Sequence, residues 1–171
     1  MWRVTSGQPA PDAVERLLRM LPGWFGIESS VLEYVAASRT LPAYLAYLAW
    51  PDGSEAAQPR GVLLAVRHFP ASAEIYLMAV DPAWHRHGAG RALVAALEAD
   101  LIAQGVEFLQ VKTQGPGRPD AGYEKTRQFY ADVGFRPLEQ VQGLWPGIPC
   151  LIMIKSLQPG SPAGKPDRAA P

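Results

Sequence analysis

Between residues 74 and 93 the chain reads E-I-Y-L-M-A-V-D-P-A-W-H-R-H-G-A-G-R-A-L. A short apolar run is stopped by Asp81-Pro82, crosses a basic loop, and meets two glycines where a helical pattern begins. A strand that turns directly into a glycine-flanked helix admits few architectures. The first amides of a helix have no partner inside it and carry partial positive charge, so they suit an anion. Glycine lets a bulky phosphate approach them without meeting a Cβ. The amides of His87, Gly88, Ala89, Gly90 and Arg91, with the side chains of His85, Arg86, His87 and Arg91 around them, therefore predict a diphosphate cradle. On spacing alone, a plain turn with close helix contact explains Gly88 and Gly90 equally well. Two other phosphate binders are disfavoured: a dinucleotide fold wants a third glycine where Leu93 stands, and a Walker loop wants Gly-Lys-Ser/Thr where the chain has Gly90-Arg91-Ala92.

The elements around this stretch follow from periodicity. Residues 2–5 predict a short first strand. Residues 11–21 predict a helix, with Pro11 near its start and Val14, Leu17, Leu18 and Leu21 on one face. A second helix is expected over 28–38, then a hairpin of strands 43–50 and 61–69 across a polar connection. The cradle helix spans 88–104, its buried stripe being Leu93, Val94, Leu97, Leu101 and Ile102, with Gly105 as its stop. The next strand, 106–113, completes a strand–helix–strand unit that implies parallel pairing or adjacency. A helix over 123–133 and two strands, 135–142 and 150–157, finish the fold.

At 171 residues the chain predicts one domain, over 1–157. The segment 158–171 is Pro, Gly, Ala, Ser and charge, a composition that predicts disorder. The 16 basic and 16 acidic residues cancel, so nothing asks for nucleic acid or a membrane as partner. A lone cysteine, Cys150, fits a reducing compartment, and no apolar run approaches the roughly 20 residues of a spanning helix, which makes a cytoplasmic protein the default. His85 and His87 lack a third ligand, so no metal is expected.

A second signal lies downstream, in Thr126-Arg127-Gln128-Phe129-Tyr130-Ala131-Asp132-Val133-Gly134-Phe135. It is similar to the A-x-x-F-Y-x-x-x-G-F segment of the GNAT superfamily of acyl-CoA-dependent N-acetyltransferases. His85-Arg86-His87-Gly88-Ala89-Gly90, preceded by Val80-Asp81-Pro82, resembles that family's Q/R-x-x-G-x-G/A turn, with His85 at the Gln/Arg position. Many members carry an Asn that touches the pantetheine arm where this chain has Tyr123.

The resemblance implies an α/β (α+β) fold with a mixed, mostly antiparallel sheet flanked by helices on both faces. It implies acetyl-CoA as acyl donor, an amine of a small molecule or peptide as acceptor, and direct transfer; a homodimer through the C-terminal strands rests on the same analogy. Carried over by residue, main-chain groups near Met78, Ala79 and Val80 would meet the cofactor, with Thr126 beside it. Tyr130 would be the general acid for the thiolate. A phenol is protonated at neutral pH and can donate, while packing against Phe129 in the core is the competing role. Glu74 is the candidate base, an exposed strand-edge carboxylate being the alternative. Arg127, Tyr123 and Trp24 are candidates for the acceptor pocket, against surface pairing or core packing. A non-catalytic acyl-CoA-binding or sensing domain stays open as a different class, as does a structural or interaction protein with no cofactor.

Overall fold

The computed structural model describes residues 1–157; the expected disorder of 158–171 lies outside the described residues. Seven strands form one sheet, β1 (Trp2–Gln8), β2 (Ala43–Leu48), β3 (Gly61–Phe69), β4 (Ser72–Val80), β5 (Phe108–Gln114), β6 (Arg136–Trp145) and β7 (Ile148–Ser156), in the spatial order β1-β2-β3-β4-β5-β7-β6. Only β4 and β5 pair in parallel; the other five pairings are antiparallel. That one parallel pair is joined by helix α3 (Ala89–Ala103), because parallel neighbours require a crossover and a helix is the compact way to make it.

Two apolar cores lie on opposite faces. Helices α1 (Pro11–Arg19) and α2 (Glu28–Ala37) close one, where Val14, Leu17, Leu18, Val31 and Val35 meet Val62, Leu64, Leu77 and Ala79. Helices α3 and α4 (Ala121–Asp132) close the other, where Leu93, Leu97 and Tyr130 meet Leu63, Ala73, Ile75, Leu109 and Val111. The mixed sheet with helices on both faces is the architecture expected from the sequence.

Several boundaries shift. β1 is longer than the apolar residues at its start suggested, because its outer residues take their partners from β2 while facing solvent. β5 begins at Phe108; Val106 before it is already buried in the core under α3. Ile102 is 48% exposed and leaves the predicted stripe of α3. Leu93, Leu97 and Leu101 recur every four residues along the buried face, and Ile102, one step further round, points about 100° away.

Candidate active site

The site begins with a change of alternation in β4. Ala73 and Ile75 belong to the core under α3 and α4, yet Leu77 and Ala79 belong to the core under α1 and α2. Residues two apart on a regular strand share a face, so one extra residue must intervene. It is Tyr76: Leu77 pairs with Leu64 of β3 and Ile75 with Ala65, leaving Tyr76 bulged. Pairing with β5 ends at the same place. The parallel ladder runs from Ser72↔Phe108 to Ile75↔Val111, after which β4 pairs only with β3 and β5 only with β7. The two strands thus part beyond Ile75 and Val111, leaving a wedge flanked by unpaired main chain. Such main chain is costly unless something else bonds to it.

At the mouth of the wedge lies the turn expected to form the cradle. Asp81, buried, accepts from Ala83 N at 3.0 Å and from Arg60 Nη1 at 3.1 Å, which turns the chain out of β4. The loop then passes through left-handed backbone at Arg86 (φ 62°) and Gly88 (φ 90°). At Gly88 space is ample, since a Cβ would meet only Trp2 at 3.7 Å; the conformation is what calls for glycine. Gly90 is the reverse case: a Cβ there would lie 3.1 Å from the Phe129 ring, so close packing on α4 is its reason. Trp2 Nε1 donates to His87 O at 2.6 Å and fixes the loop. The first intrahelical bond runs from Ala92 N to Gly88 O, so the amides ahead of Ala92 precede the ladder of α3.

The basic side chains are deployed unevenly. His85 Nε2 lies 2.8 Å from Val80 O, closing over the end of β4, and His87 Nδ1 lies 2.8 Å from His85 O. Arg91 reaches sideways to Asp132, donating to its carbonyl at 3.3 Å. Arg86 is exposed beside the cradle.

Helix α4 starts at Asp120, whose carboxylate accepts from Gly122 N and Tyr123 N at 2.9 and 3.0 Å. Its first turn is tied to the loop before α2: Trp24 Nε1 donates to Thr126 Oγ1 at 3.2 Å, and Tyr123 Oη donates to Trp24 O at 3.4 Å. The Trp24 ring also meets His85 edge-on at 6.1 Å. Trp24, Tyr123, Thr126 and the cradle loop are therefore one connected wall. Arg127 is neither in a surface ion pair nor free; its Nη1 donates to Gln114 O at 2.9 Å, at the far end of β5.

Tyr130 is 5% exposed and packs between Phe129 and Phe135, with ring centroids 5.4 and 5.5 Å away. Tyr130 thus has the core packing named as its competing role, and Phe129 is partly buried against the same core. Burial pushes the phenol well above its ordinary value, with a smaller push from Tyr34, so it remains a proton donor throughout the neutral range. Tyr34 stands on α2, across the sheet. Burial likewise pushes Tyr34 up to about 12, helped by Tyr76 and Tyr123, and its ring meets that of Tyr76 at 5.4 Å.

Glu74 lies at the vertex of the wedge, opposite Gln110 in the last paired turn of the ladder. It is 5% exposed rather than an open edge carboxylate. Its Oε2 accepts from Lys112 Nζ at 2.7 Å and Gln110 Nε2 at 3.0 Å, and lies 2.7 Å from His68 Nε2. His68 is thus tied to the vertex. Burial alone would raise the Glu74 carboxyl; the bonds from Lys112, His68 and Gln110 outweigh it and hold the group below its ordinary value. A carboxylate whose folded value is depressed stabilises the fold above its unfolded value, and that contribution is lost as pH falls through the folded one. Glu74→Ala should therefore cost roughly 2 kcal/mol near neutrality by stranding a largely covered Lys112. Chemical denaturation at pH 7 and pH 3.5 checks this: the difference between wild type and variant should shrink at the lower pH, and a pH-independent difference would contradict it.

The residues that motif spacing did not single out here are Tyr34, Tyr76, His68, Gln110, Lys112 and Thr113. The parallel register was the missing signal, since setting strand 74 against strand 110 brings Gln110 and Lys112 to Glu74. Among the described residues no group of three or more His, Cys, Asp or Glu side chains is arranged to hold a metal ion. Within the same residues no helix is long and apolar enough to cross a membrane.

A family model described as an acetyltransferase (GNAT) domain matches residues 43–137, more than half of the chain. Among solved structures, the ribosomal-protein-S18-alanine N-acetyltransferase from Escherichia coli is similar with a TM-score of 0.71 at 16% identity, covering 96% of this chain and 99% of that one. An aminoglycoside 6'-N-acetyltransferase complexed with coenzyme A gives 0.65 at 16% identity, covering 92% and 98%. Ard1 from Thermoplasma volcanium gives 0.64 at 16% identity, covering 90% and 97%. At these identities the likeness is one of fold. No curated protein sequence matches the chain.

Proposed function

The chain belongs to the GNAT acetyltransferase family, and on that premise we propose that it moves an acetyl group from acetyl-CoA to a primary amine of a small molecule or peptide, by direct attack and without a covalent acyl-enzyme. The observation that carries this is the parting of β4 from β5 directly below a helix start with free amides. An extended carrier with a diphosphate at one end and a thioester at the other has the shape of that opening. The left-handed Gly88 and the buried, unpartnered hydroxyl of Thr113 in the parted segment of β5 both fit such an occupant.

When bound, acetyl-CoA supplies the acyl group already activated as a thioester. The chain's own residues do the rest. The amides from Gly88 to Arg91, with Arg86 alongside, hold the diphosphate. Main-chain groups of β4 beyond the bulge, at Met78, Ala79 and Val80, line the arm and polarise the carbonyl; the Val80 carbonyl oxygen is already engaged by His85. Tyr130 Oη holds the proton that the departing sulfur takes. Glu74 stays ionised and draws the ammonium toward the vertex. A carboxylate held below its ordinary value is a poor match to an amine proton, so it passes that proton on through water. Tyr34, Tyr76, Tyr123 and Trp24 line the acceptor's approach, and Arg127 keeps the end of β5 in position.

Incubation with acetyl-CoA and a panel of amines, with detection of free thiol, tests the proposal. Amine-dependent thiol release is expected. A protein that binds acetyl-CoA and releases no thiol with any amine is a sensing domain, the reading that the ion-paired Glu74 would favour; one that does not bind acetyl-CoA overturns both.

A further inference from the structure

Among the described residues, two buried side-chain polar atoms have no hydrogen-bond partner, Arg60 Nε and Thr113 Oγ1. The first is one nitrogen of a guanidinium already paired with Asp81. The second is different in kind, because the hydroxyl is the only polar group its side chain has. Thr113 is 4% exposed. A buried hydroxyl without a partner is destabilising, and valine would fill the same space without that cost. A threonine there is best explained by something that bonds to it.

Its position names what that is. Thr113 lies two residues past Val111, the last residue of β5 that pairs with β4, and its remaining neighbour is Leu151 of β7. By alternation it shares a face with Leu109 and Val111, which pack under α3 and α4. That is the side on which Phe129 and Met78 approach Gly90 beneath the cradle. The hydroxyl therefore flanks the wedge between its vertex and the diphosphate site. Any carrier held at the cradle with its reactive end near Tyr130 must run past it. In coenzyme A that intervening portion is the pantetheine arm, a chain with two secondary amides, each offering a donor and an acceptor. A hydroxyl can serve either.

We propose that Thr113 Oγ1 is a binding group for the pantetheine arm, hydrogen-bonded to one of its amides. This rests on the acetyl-CoA reading of the cradle and adds to it a specific contact on the β5 side of the wedge.

Thr113→Val and Thr113→Ser test it by calorimetric titration with coenzyme A and, separately, with adenosine 3′,5′-diphosphate, which lacks the arm. Thermal unfolding of the ligand-free proteins is read in parallel. Thr113→Val should bind coenzyme A about three- to tenfold more weakly, the factor that one net hydrogen bond corresponds to. Its affinity for the fragment should stay within twofold of wild type, its ligand-free Tm should be equal or higher, and Thr113→Ser should recover the loss. Equal affinity of Thr113→Val for coenzyme A would overturn the proposal. So would a parallel loss for the fragment, or a fall in Tm, since either would mean that the substitution acts by distorting the strand. Failure of the wild type to bind coenzyme A would instead remove the cradle reading, and this contact with it.

Discussion

Tyr130→Phe is expected to lower kcat by about 10²-fold while leaving the affinity for acetyl-CoA within twofold, the lower end of what a positioned acid contributes. The low end is chosen because a thiolate is a comparatively good leaving group that needs its proton late. The substitution is clean: the ring contacts with Phe129 and Phe135 do not involve the hydroxyl, so the fold should be unaffected. Burial holds the phenol above its ordinary value, so the wild-type rate should not fall on the alkaline side until well beyond the usual phenol range. The variant's residual rate should show no ionisation assignable to it. Steady-state kinetics against acetyl-CoA at saturating amine, with separate calorimetry for binding, makes the distinction. An unchanged kcat would remove Tyr130 from the chemistry and leave it as a core residue.

The second large effect is expected on binding. Gly88→Val should weaken acetyl-CoA at least tenfold, with kcat at saturation changed much less. At φ 90° a side chain costs about 1–2 kcal/mol relative to right-handed backbone, and a β-branched one more. The loop is held from outside by Trp2, through the bond to His87 O, so it cannot simply relax. Either the helix start rotates, turning its amides away, or the strain is retained and stability falls. Gly88→Ala should lie between wild type and Gly88→Val in affinity, because the conformation and not the available space sets the penalty. Calorimetric affinities for the three proteins check the order, and identical affinities would show that the loop does not carry the diphosphate.

The legible and illegible parts of this molecule divide along physical lines. The turn from β4 into α3 was legible because two glycines, a proline stop and a helical stripe are local signals. Helices α1 to α4 were legible from apolar residues at helical spacing, with Ile102 the exception, since it lies one step past the edge of the stripe that Leu93, Leu97 and Leu101 bury. The bulge at Tyr76 was not legible. Ile75, Tyr76, Leu77, Met78, Ala79 and Val80 are all apolar or aromatic, so a reversal of alternation leaves no trace in the residue types. The vertex was illegible for another reason. Glu74 is bonded by His68, six residues away, and by Lys112 across the parallel register, and such partners appear only once strand order is known. Thr113 carries no signal at all in the sequence, because threonine is ordinary in a strand and only its lack of a partner makes it notable.

Anchoring of the diphosphate by main-chain amides at the start of α3, with the arm lying between the parted strands, is the centre of this account. Titration of the isotopically labelled protein with acetyl-CoA, followed by amide proton–nitrogen correlation spectra, reads those groups one by one. The account predicts that the largest shifts fall on the amides of Gly88, Ala89, Gly90 and Arg91, with a second set at Met78, Ala79 and Val80. Saturable shifts confined to other parts of the chain, with the Gly88 and Gly90 resonances unmoved, would contradict it.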